Sequence, residues 1–239
     1  MMSGDNLQIF SEFLGTLILV LLGNGVVAAV SLEKSKAQGA GWIVITLGWG
    51  AAVTIAVYAS SFMGPAHLNP AVTLGMAVAG NIGWNLVTPF IIAQIVGGIV
   101  GAALVWVTYM PHWEATKDEA AILGTFATGP AIRKPFSNMI TELIGTFVLV
   151  FALLAFGRTT FADGMNPLIV GVLILSLGLS LGGPTGYAIN PARDLGPRIA
   201  HQILPIANKG DSDWGYAWVP IVGPMLGSLL AALAWGMIP

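Results

Sequence analysis

Two segments decide the fold of this chain: Ala66-His-Leu-Asn-Pro-Ala-Val-Thr73 and Gly186-Tyr-Ala-Ile-Asn-Pro-Ala-Arg-Asp-Leu-Gly-Pro197. Each places the triplet Asn-Pro-Ala before a short apolar stretch. Asparagine is a favoured helix N-cap, and proline at the first helical position loses no hydrogen bond. Each triplet therefore predicts the start of a helix. The stretches 69–79 and 190–200 are too short to cross a bilayer, so they predict two half-helices. The triplets are Asn69-Pro70-Ala71 and Asn190-Pro191-Ala192.

The composition predicts a membrane protein. Of the 239 residues, 56% are hydrophobic and 8% are charged, whereas about 25% charged residues are usual in a soluble domain. A surface with so few charges suits lipid better than water. The net charge of -2 and the lack of a basic stripe argue against nucleic acid as a partner. Because the chain has no cysteine, disulfides and thiolate metal sites are excluded.

Long uncharged runs predict six transmembrane helices. A bilayer core of about 30 Å requires about 20 helical residues, and six runs approach that length. No Lys or Arg precedes Glu12, so the first run lacks the cationic start of a signal peptide and is expected to remain as a span. The runs are 9–30, 41–60, 86–109, 136–156, 167–181 and 214–237.

The two halves of the chain resemble each other. Ser11-Glu-Phe-Leu-Gly-Thr16 echoes Thr141-Glu-Leu-Ile-Gly-Thr146, and both halves continue with a span, a triplet and a Gly-x-x-x-Gly span. Each unit has three spans, an odd number, so the second unit enters from the opposite side. We expect an all-α membrane protein with an inverted 3+3 repeat, in one transmembrane domain over 1–239 with repeats at about 7–110 and 136–237. The two half-helices then meet near mid-membrane.

This arrangement predicts a polar pathway through the bilayer. Each half-helix N-terminus carries about half a positive charge, which repels cations and hydronium. Asn69 and Asn190 cap the helices and direct amide donors into the lumen. The segments before the triplets are expected to be extended and to offer backbone carbonyls, which a membrane tolerates only beside a cavity. The predicted carbonyl residues are Pro65, Ala66, His67, Gly186, Tyr187 and Ala188.

With its paired triplets and duplicated Glu-x-x-Gly-Thr motif, the sequence resembles the major intrinsic protein family, the aquaporins and aquaglyceroporins. The resemblance extends from Glu12 to about Gly236. It implies six spans, two re-entrant half-helices, and a homotetramer with one pore per subunit. It also implies a cell-membrane location with both termini in the cytoplasm. No cofactor or metal is expected.

The resemblance also assigns a selectivity filter. Arg193 matches the family's filter arginine, and position relative to the triplets adds Trp49, Gly178 and Tyr187. Gly178 stands where water-selective members have histidine, which is expected to leave room beside two aromatic rings opposite Arg193. Asp194 and Arg198 resemble the glycerol-conducting branch, and Asp194 is expected to support a loop, as are Glu12 and Glu142. The resemblance thus implies passive diffusion of glycerol-like polyols and water, with ions and protons excluded.

Two departures from the family pattern leave the solute open. Pro65 stands where glycine is usual, and Tyr187 stands where glycerol channels often have phenylalanine, so its hydroxyl either narrows the filter or adds a hydrogen bond. The candidate solutes are glycerol, dihydroxyacetone, urea, protonated lactic acid and water. A water-selective aquaporin is the alternative within the family.

Several residues also have a plainer interpretation. Arg193 could pair with Asp194, and Trp49 and Tyr187 could be packed aromatics. Glu12 and Glu142 could relay protons in a coupled transporter, but their repeat-related positions favour binding of loop amides. His67 lacks partner ligands, which favours a buried histidine over a metal site. The loops 111–135 and 209–214 are predicted to be solvated connectors.

Other functional classes have weaker support. No nucleophile, paired carboxylate motif or histidine cluster predicts an enzyme. An ion-coupled secondary transporter also uses inverted repeats, and it remains the rival from another class. The charge bias contradicts the orientation that the resemblance implies, because six loop cations lie on one side against Arg158 on the other. Those six are Lys34, Lys36, Lys117, Arg133, Lys134 and Lys209.

Overall fold

A computed structural model describes residues 4–238, and all regular structure within that range is helical. The helices are α1 (Gly4–Ser31), α2 (Trp42–Ser60), α3 (Pro70–Val78), α4 (Trp84–Thr108), α5 (Met110–Ala115), α6 (Glu119–Phe126), α7 (Pro135–Phe156), α8 (Met165–Leu181), α9 (Pro191–Ile203) and α10 (Val219–Gly236).

Six of these helices correspond to the predicted spans. α1, α2, α4, α7 and α10 are each long and apolar enough to cross a membrane. α8 is a shorter apolar helix of 17 residues. At about 1.5 Å per residue its length is roughly 25 Å, close to the thickness of a hydrocarbon core. The expected all-α membrane fold is confirmed, with α3 and α9 as the two half-helices.

Glycines let the first and last helices of each half pack closely. α4 packs against α1, and α10 packs against α7. A Cβ atom at Gly101 would lie 2.6 Å from the carbonyl oxygen of Leu17, and one at Gly223 would lie 2.8 Å from that of Met139. Only glycine permits this approach, as the Gly-x-x-x-Gly spacing predicts.

Each half-helix packs against the opposite half of the molecule. α3 lies against α10, and α9 lies against α4. A Cβ at Gly196 would lie 3.0 Å from the Cα of Gly98, so α9 and α4 cross at backbone contact. The side chain of Ser228 in α10 donates a hydrogen bond to the carbonyl of Ala71 at the start of α3. The two halves are therefore interlocked, and neither half-helix rests on its own half alone.

Two predictions about connecting segments were wrong. Residues 111–135 are not merely a solvated connector, because they include most of α5 and all of α6. Trp113, Ile122 and Phe126 of this segment are at most 1% exposed and pack in a core cluster. The last span does not begin at Trp214, because residues 214–218 form turns before Val219 starts α10.

Candidate functional site

The backbone before the first triplet is held by the carboxylate of Glu12. Its Oε1 accepts a hydrogen bond from the His67 amide at 2.7 Å, and its Oε2 accepts one from the Leu68 amide at 2.6 Å. The Gln94 side chain donates to the same Oε2 at 2.8 Å. Glu12 is fully buried, so these donors replace the water that a carboxylate would otherwise bind.

The second loop has the equivalent arrangement. Glu142 Oε1 accepts from the Ala188 amide at 3.0 Å, and its Oε2 accepts from the Ile189 amide at 2.7 Å. Each glutamate thus binds two consecutive amides of the loop in its own half. Backbone carbonyls of both loops remain available for other partners.

The sequence predicts that the two loops are extended. The backbone differs from this prediction because each loop contains left-handed residues. Ala66 and Leu68 have φ angles of 51° and 53°, and Tyr187 and Ile189 have φ angles of 38° and 43°. An L-residue in this left-handed region costs about 1–2 kcal/mol. Charge-assisted hydrogen bonds from the loop amides to the glutamates offset this strain, because they are about twice as strong as neutral ones.

The two asparagines cap their own helices and bind the opposite loop. Asn69 Oδ1 accepts from the Ala71 amide at 2.9 Å, while its Nδ2 donates to the carbonyl of Ile189 at 2.8 Å. Asn190 Nδ2 donates to the carbonyl of Leu68, also at 2.8 Å. A side-chain amide carries two N–H donors, so one donor of each asparagine remains for another partner.

The asparagines and loops border a cavity of about 330 Å³. Its polar lining comes from the two loops and from Asn69, Asn81, Asn166, Asn190 and Arg193, whereas its apolar lining comes mainly from α1, α2, α7 and α8. Of the predicted carbonyl residues, all but Gly186 border the cavity: Pro65, Ala66, His67, Tyr187 and Ala188. The prolines and alanines of the triplets are buried in the helix starts, outside this lining: Pro70, Ala71, Pro191 and Ala192.

Trp49, Tyr187 and Arg193 lie together at one part of the cavity. The Cζ atom of Arg193 lies 4.1 Å from the ring centroid of Trp49, so the guanidinium stacks on the indole. No gap therefore separates the guanidinium from this ring. A guanidinium on an aromatic face is favourable because the ring quadrupole attracts the cation.

Gly178 does not border the cavity, contrary to the expectation that it leaves open room there. A Cβ at Gly178 would lie 2.7 Å from Cζ and 2.8 Å from Oη of Tyr187. The space that Gly178 provides is therefore occupied by the Tyr187 ring. We refer to Trp49, Tyr187 and Arg193, with Gly178 behind Tyr187, as the constriction.

The alternative ion pair between Arg193 and Asp194 is not formed. Asp194 Oδ1 instead pairs with Arg198 Nε at 2.9 Å, with both side chains buried. Its Oδ2 accepts from the amide and hydroxyl of Thr128, at 2.8 and 2.7 Å. Asp194 therefore holds the segment that follows α6, and the guanidinium of Arg193 stays free of a carboxylate partner within residues 4–238.

The duplicated glutamates, the crossed asparagines and the interlocked half-helices extend over nearly the whole chain. A family model described as "Major intrinsic protein" matches residues 4–235. The chain belongs to the major intrinsic protein family. Members of this family form channels, so catalysis is not expected of the site.

Similar members of the family have names that refer to glycerol. The chain is 67% identical over 233 residues to "Glycerol uptake facilitator protein 3" of Lactiplantibacillus plantarum, covering 98% of this chain and 97% of that protein. It is 57% identical to "Glycerol uptake facilitator protein" of Streptococcus pneumoniae, covering 96% and 98%. The X-ray structure of the aquaglyceroporin from Plasmodium falciparum superposes with a TM-score of 0.87 at 29% identity, covering 98% and 96%.

Three features of the site were not found from the sequence. Gly23 of α1 lies directly behind the Trp49 ring. The carbonyl of Phe126 accepts from Asn24 at 3.1 Å and lies 3.5 Å from Nη1 of Arg193. Trp42 contacts Tyr187 from outside the cavity. All three depend on contacts between distant parts of the chain, and no local motif marks them.

Proposed function

We propose that this member of the major intrinsic protein family conducts small uncharged solutes by passive diffusion, chiefly glycerol-like polyols together with water. The cavity carries this proposal, because most of its polar lining comes from the two loops and half-helices, and most of its apolar lining comes from the spanning helices. A polyol also has hydroxyls and a carbon chain that need different surroundings. The names of the relatives with 67% and 57% identity support the same solute class.

The geometry indicates how a polyol would pass. Its hydroxyls donate to loop carbonyls and accept from the free N–H of Asn69 and Asn190, so hydration is replaced step by step. Its carbon chain lies against Val53, Leu149 and Ile174, which border the same cavity. No conformational change is required, in contrast to a coupled transporter.

The same lining opposes ions. Arg193 is the only Lys, Arg, Asp or Glu among the described residues that border the cavity. A cation would meet this guanidinium and the positive ends of two half-helices, with no carboxylate to replace its water. Glu12 and Glu142 bind backbone amides, which favours the supporting role over a proton relay.

Osmotic swelling of proteoliposomes, followed by stopped-flow light scattering, tests the proposal with water, glycerol and a larger polyol. We expect rapid glycerol entry with a low activation energy, and its loss when Val53, which borders the cavity, is replaced by the much bulkier tryptophan. Fast water flow without glycerol entry would identify a water-selective channel. Flux that saturates at low solute concentration, or that requires a proton or sodium gradient, would identify a coupled transporter.

The order of preference among solutes belongs to the same proposal. Dihydroxyacetone, urea and protonated lactic acid share with glycerol a small size, zero net charge and several hydrogen-bonding groups. Parallel swelling assays with each solute, normalised to the number of protein copies, rank them directly. For lactic acid, entry is expected to follow the protonated fraction as the external pH changes.

We also propose a cell-membrane location with both termini in the cytoplasm, as the family resemblance implies. Three of the six cations that favour the reverse orientation have structural partners, which gives them a role independent of topology. Lys117 donates to Glu114, Arg133 pairs with Asp213, and Lys209 donates to three carbonyls near the end of α9. The chain has no cysteine, so single Lys36→Cys and Thr159→Cys variants can be labelled in intact cells. A membrane-impermeant maleimide is expected to label only the first, and labelling of only the second would reverse the orientation.

The chain is further proposed to form one transmembrane domain that assembles as a homotetramer with one pore per subunit. Many large apolar side chains on the outer helix faces are exposed, including Leu47, Ile55 and Val172. Such faces require lipid or neighbouring subunits. Native mass spectrometry in mild detergent is expected to give the tetramer mass, and a monomer mass at all detergent concentrations would contradict this assembly.

A further inference from the structure

Trp42, the first residue of α2, contacts the constriction from outside the cavity. Its Nε1 donates a hydrogen bond to the carbonyl of Gly178 at 3.0 Å. Its ring meets the Tyr187 ring edge-on, with 5.8 Å between the centroids and 75° between the planes. Trp42 is 38% exposed and lies outside the cavity lining. Any influence that it has on a passing solute must therefore act through Tyr187 and Gly178.

The hydrogen bond to Gly178 fixes the end of α8. That helix ends at Leu181, so the carbonyl of Gly178 is among the last four, which lack a regular partner within the helix. The indole N–H of Trp42 provides the missing donor. The C-terminal turn of α8 is thereby attached to the start of α2, and both helix ends adjoin Tyr187.

The Tyr187 ring has little free space on this side. A Cβ at Gly182 would lie 2.7 Å from Cδ1 of Tyr187 and 2.8 Å from Cζ2 of Trp42. A Cβ at Gly178 would meet the other end of the tyrosine ring. The ring therefore lies in a slot formed by the backbone of Gly178 and Gly182 and by the indole of Trp42.

We propose that Trp42 is a positioning residue that sets the width of the constriction by holding Tyr187 in this slot. The inference rests on the proposed function, because it concerns which solutes the same pathway admits. Removal of the indole leaves a void beside Tyr187 and one carbonyl of α8 without its donor. The ring can then move away from the cavity, and solutes wider than glycerol pass more easily.

The first test measures selectivity in proteoliposomes that contain the full chain. The readout is the permeability to a five-carbon polyol divided by that to glycerol, a ratio that does not depend on the amount of folded protein. Trp42→Ala is expected to raise this ratio about threefold, toward the lower end of the coupling seen between residues in contact. Trp42→Phe keeps a ring but loses the N–H donor, so a smaller rise is expected. Trp84→Ala is the matched control because Trp84 also begins a helix, α4, and is 62% exposed.

The second test asks whether Trp42 acts through Tyr187. In a Tyr187→Leu background, Trp42→Ala is expected to leave the ratio unchanged, since the ring that it positions is absent. An unchanged ratio in the wild-type background, or an equal rise in both backgrounds, overturns the inference. If Trp42→Ala does not insert, Trp42→Phe carries the same two comparisons. Failure of the proposed function is separate, because the wild-type protein would then show no glycerol entry.

Discussion

The hydroxyl of Tyr187 is buried beside Gly178 and has no hydrogen-bond partner within residues 4–238. The two roles that the sequence suggested for it, narrowing the filter and binding the solute, both require an exposed oxygen. In the structure this oxygen faces α8, and the cavity is bordered by other atoms of the residue. Tyrosine instead of phenylalanine at position 187 therefore affects the packing against α8 more than the permeation of solutes.

Tyr187→Phe tests this conclusion. Because a buried unsatisfied polar group costs about 1–3 kcal/mol, its removal is expected to leave stability unchanged or to raise it by about 1 kcal/mol. Glycerol permeability is expected to stay within about twofold of wild type. Thermal unfolding in detergent and swelling of proteoliposomes measure the two quantities. A large loss of glycerol flux at normal stability would show that the hydroxyl binds the solute.

Gly23 controls the position of the other aromatic ring. A Cβ at this residue would overlap three atoms of the Trp49 ring, so Gly23→Ala is expected to push the indole toward the cavity. We expect glycerol permeability to fall about tenfold, which corresponds to about 1.4 kcal/mol added to the barrier. Gly25→Ala is the matched control, since a Cβ there has no neighbour within 4 Å. Equal effects of the two variants would refute steric control from behind Trp49.

At the scale of elements, the two loops depend on a carboxylate in the first helix of each half. Each loop has two non-glycine residues with left-handed φ angles, and the glutamates compensate the strain of that backbone. Hydrophobicity can predict the helices around the loops but not this conformation. The duplicated glutamates indicate that the two loops are supported at equivalent positions, but they do not indicate the loop conformation.

Glu142→Gln tests the supporting role against a proton relay. The neutral amide accepts more weakly from Ala188 and Ile189, and its NH₂ group cannot accept at all. The variant is therefore expected to lose about 1–3 kcal/mol of stability and most of its glycerol permeability. Glu114→Gln, at an exposed glutamate in α5, is expected to change neither quantity. A change in proton flux at normal glycerol flux would support the relay instead.

The sequence predicts the spans and the half-helices but not the short helices α5 and α6. Long uncharged runs and Asn-Pro starts predict spans and half-helices, because both signals are local. The short helices α5 and α6 lack a long apolar run, and their burial depends on contacts distant in sequence, such as the Phe126 ring against His201 of α9. Sequence proximity offered only Arg193 as an alternative partner of Asp194, whereas one helical turn brings Arg198 to that carboxylate.

At the scale of the whole molecule, the crossed asparagines join the two halves at the centre of the pathway. The halves are related by an inverted repeat, but the asparagine contacts are unequal. Asn190 Oδ1 accepts from the amides of both Ala192 and Arg193, whereas Asn69 Oδ1 accepts from Ala71 alone. The second half-helix therefore has the more extensive cap, and it carries the arginine of the constriction.

This asymmetry predicts unequal variants. Asn69→Ala and Asn190→Ala each remove one bond between the halves and one helix cap, so each is expected to lose about 2 kcal/mol of stability. Asn190→Ala is expected to lose about 1 kcal/mol more, because a second amide of α9 also loses its acceptor. Paired thermal unfolding measurements in the same detergent provide the comparison. A larger loss for Asn69→Ala would contradict the role of the more extensive cap.

We expect the acceptors that border the cavity to be mostly backbone carbonyls, and every amino acid supplies one. Pro65 illustrates this point, because proline lacks an amide hydrogen yet offers the same oxygen to a solute. Side-chain substitutions in these loops can therefore accumulate during evolution while the solute still meets the same carbonyl oxygens. Differences in solute selectivity then arise from the aromatic rings at the constriction and from the glycines that pack behind them. A channel of this kind can therefore change its solute selectivity during evolution through a substitution that repositions one side chain of the constriction.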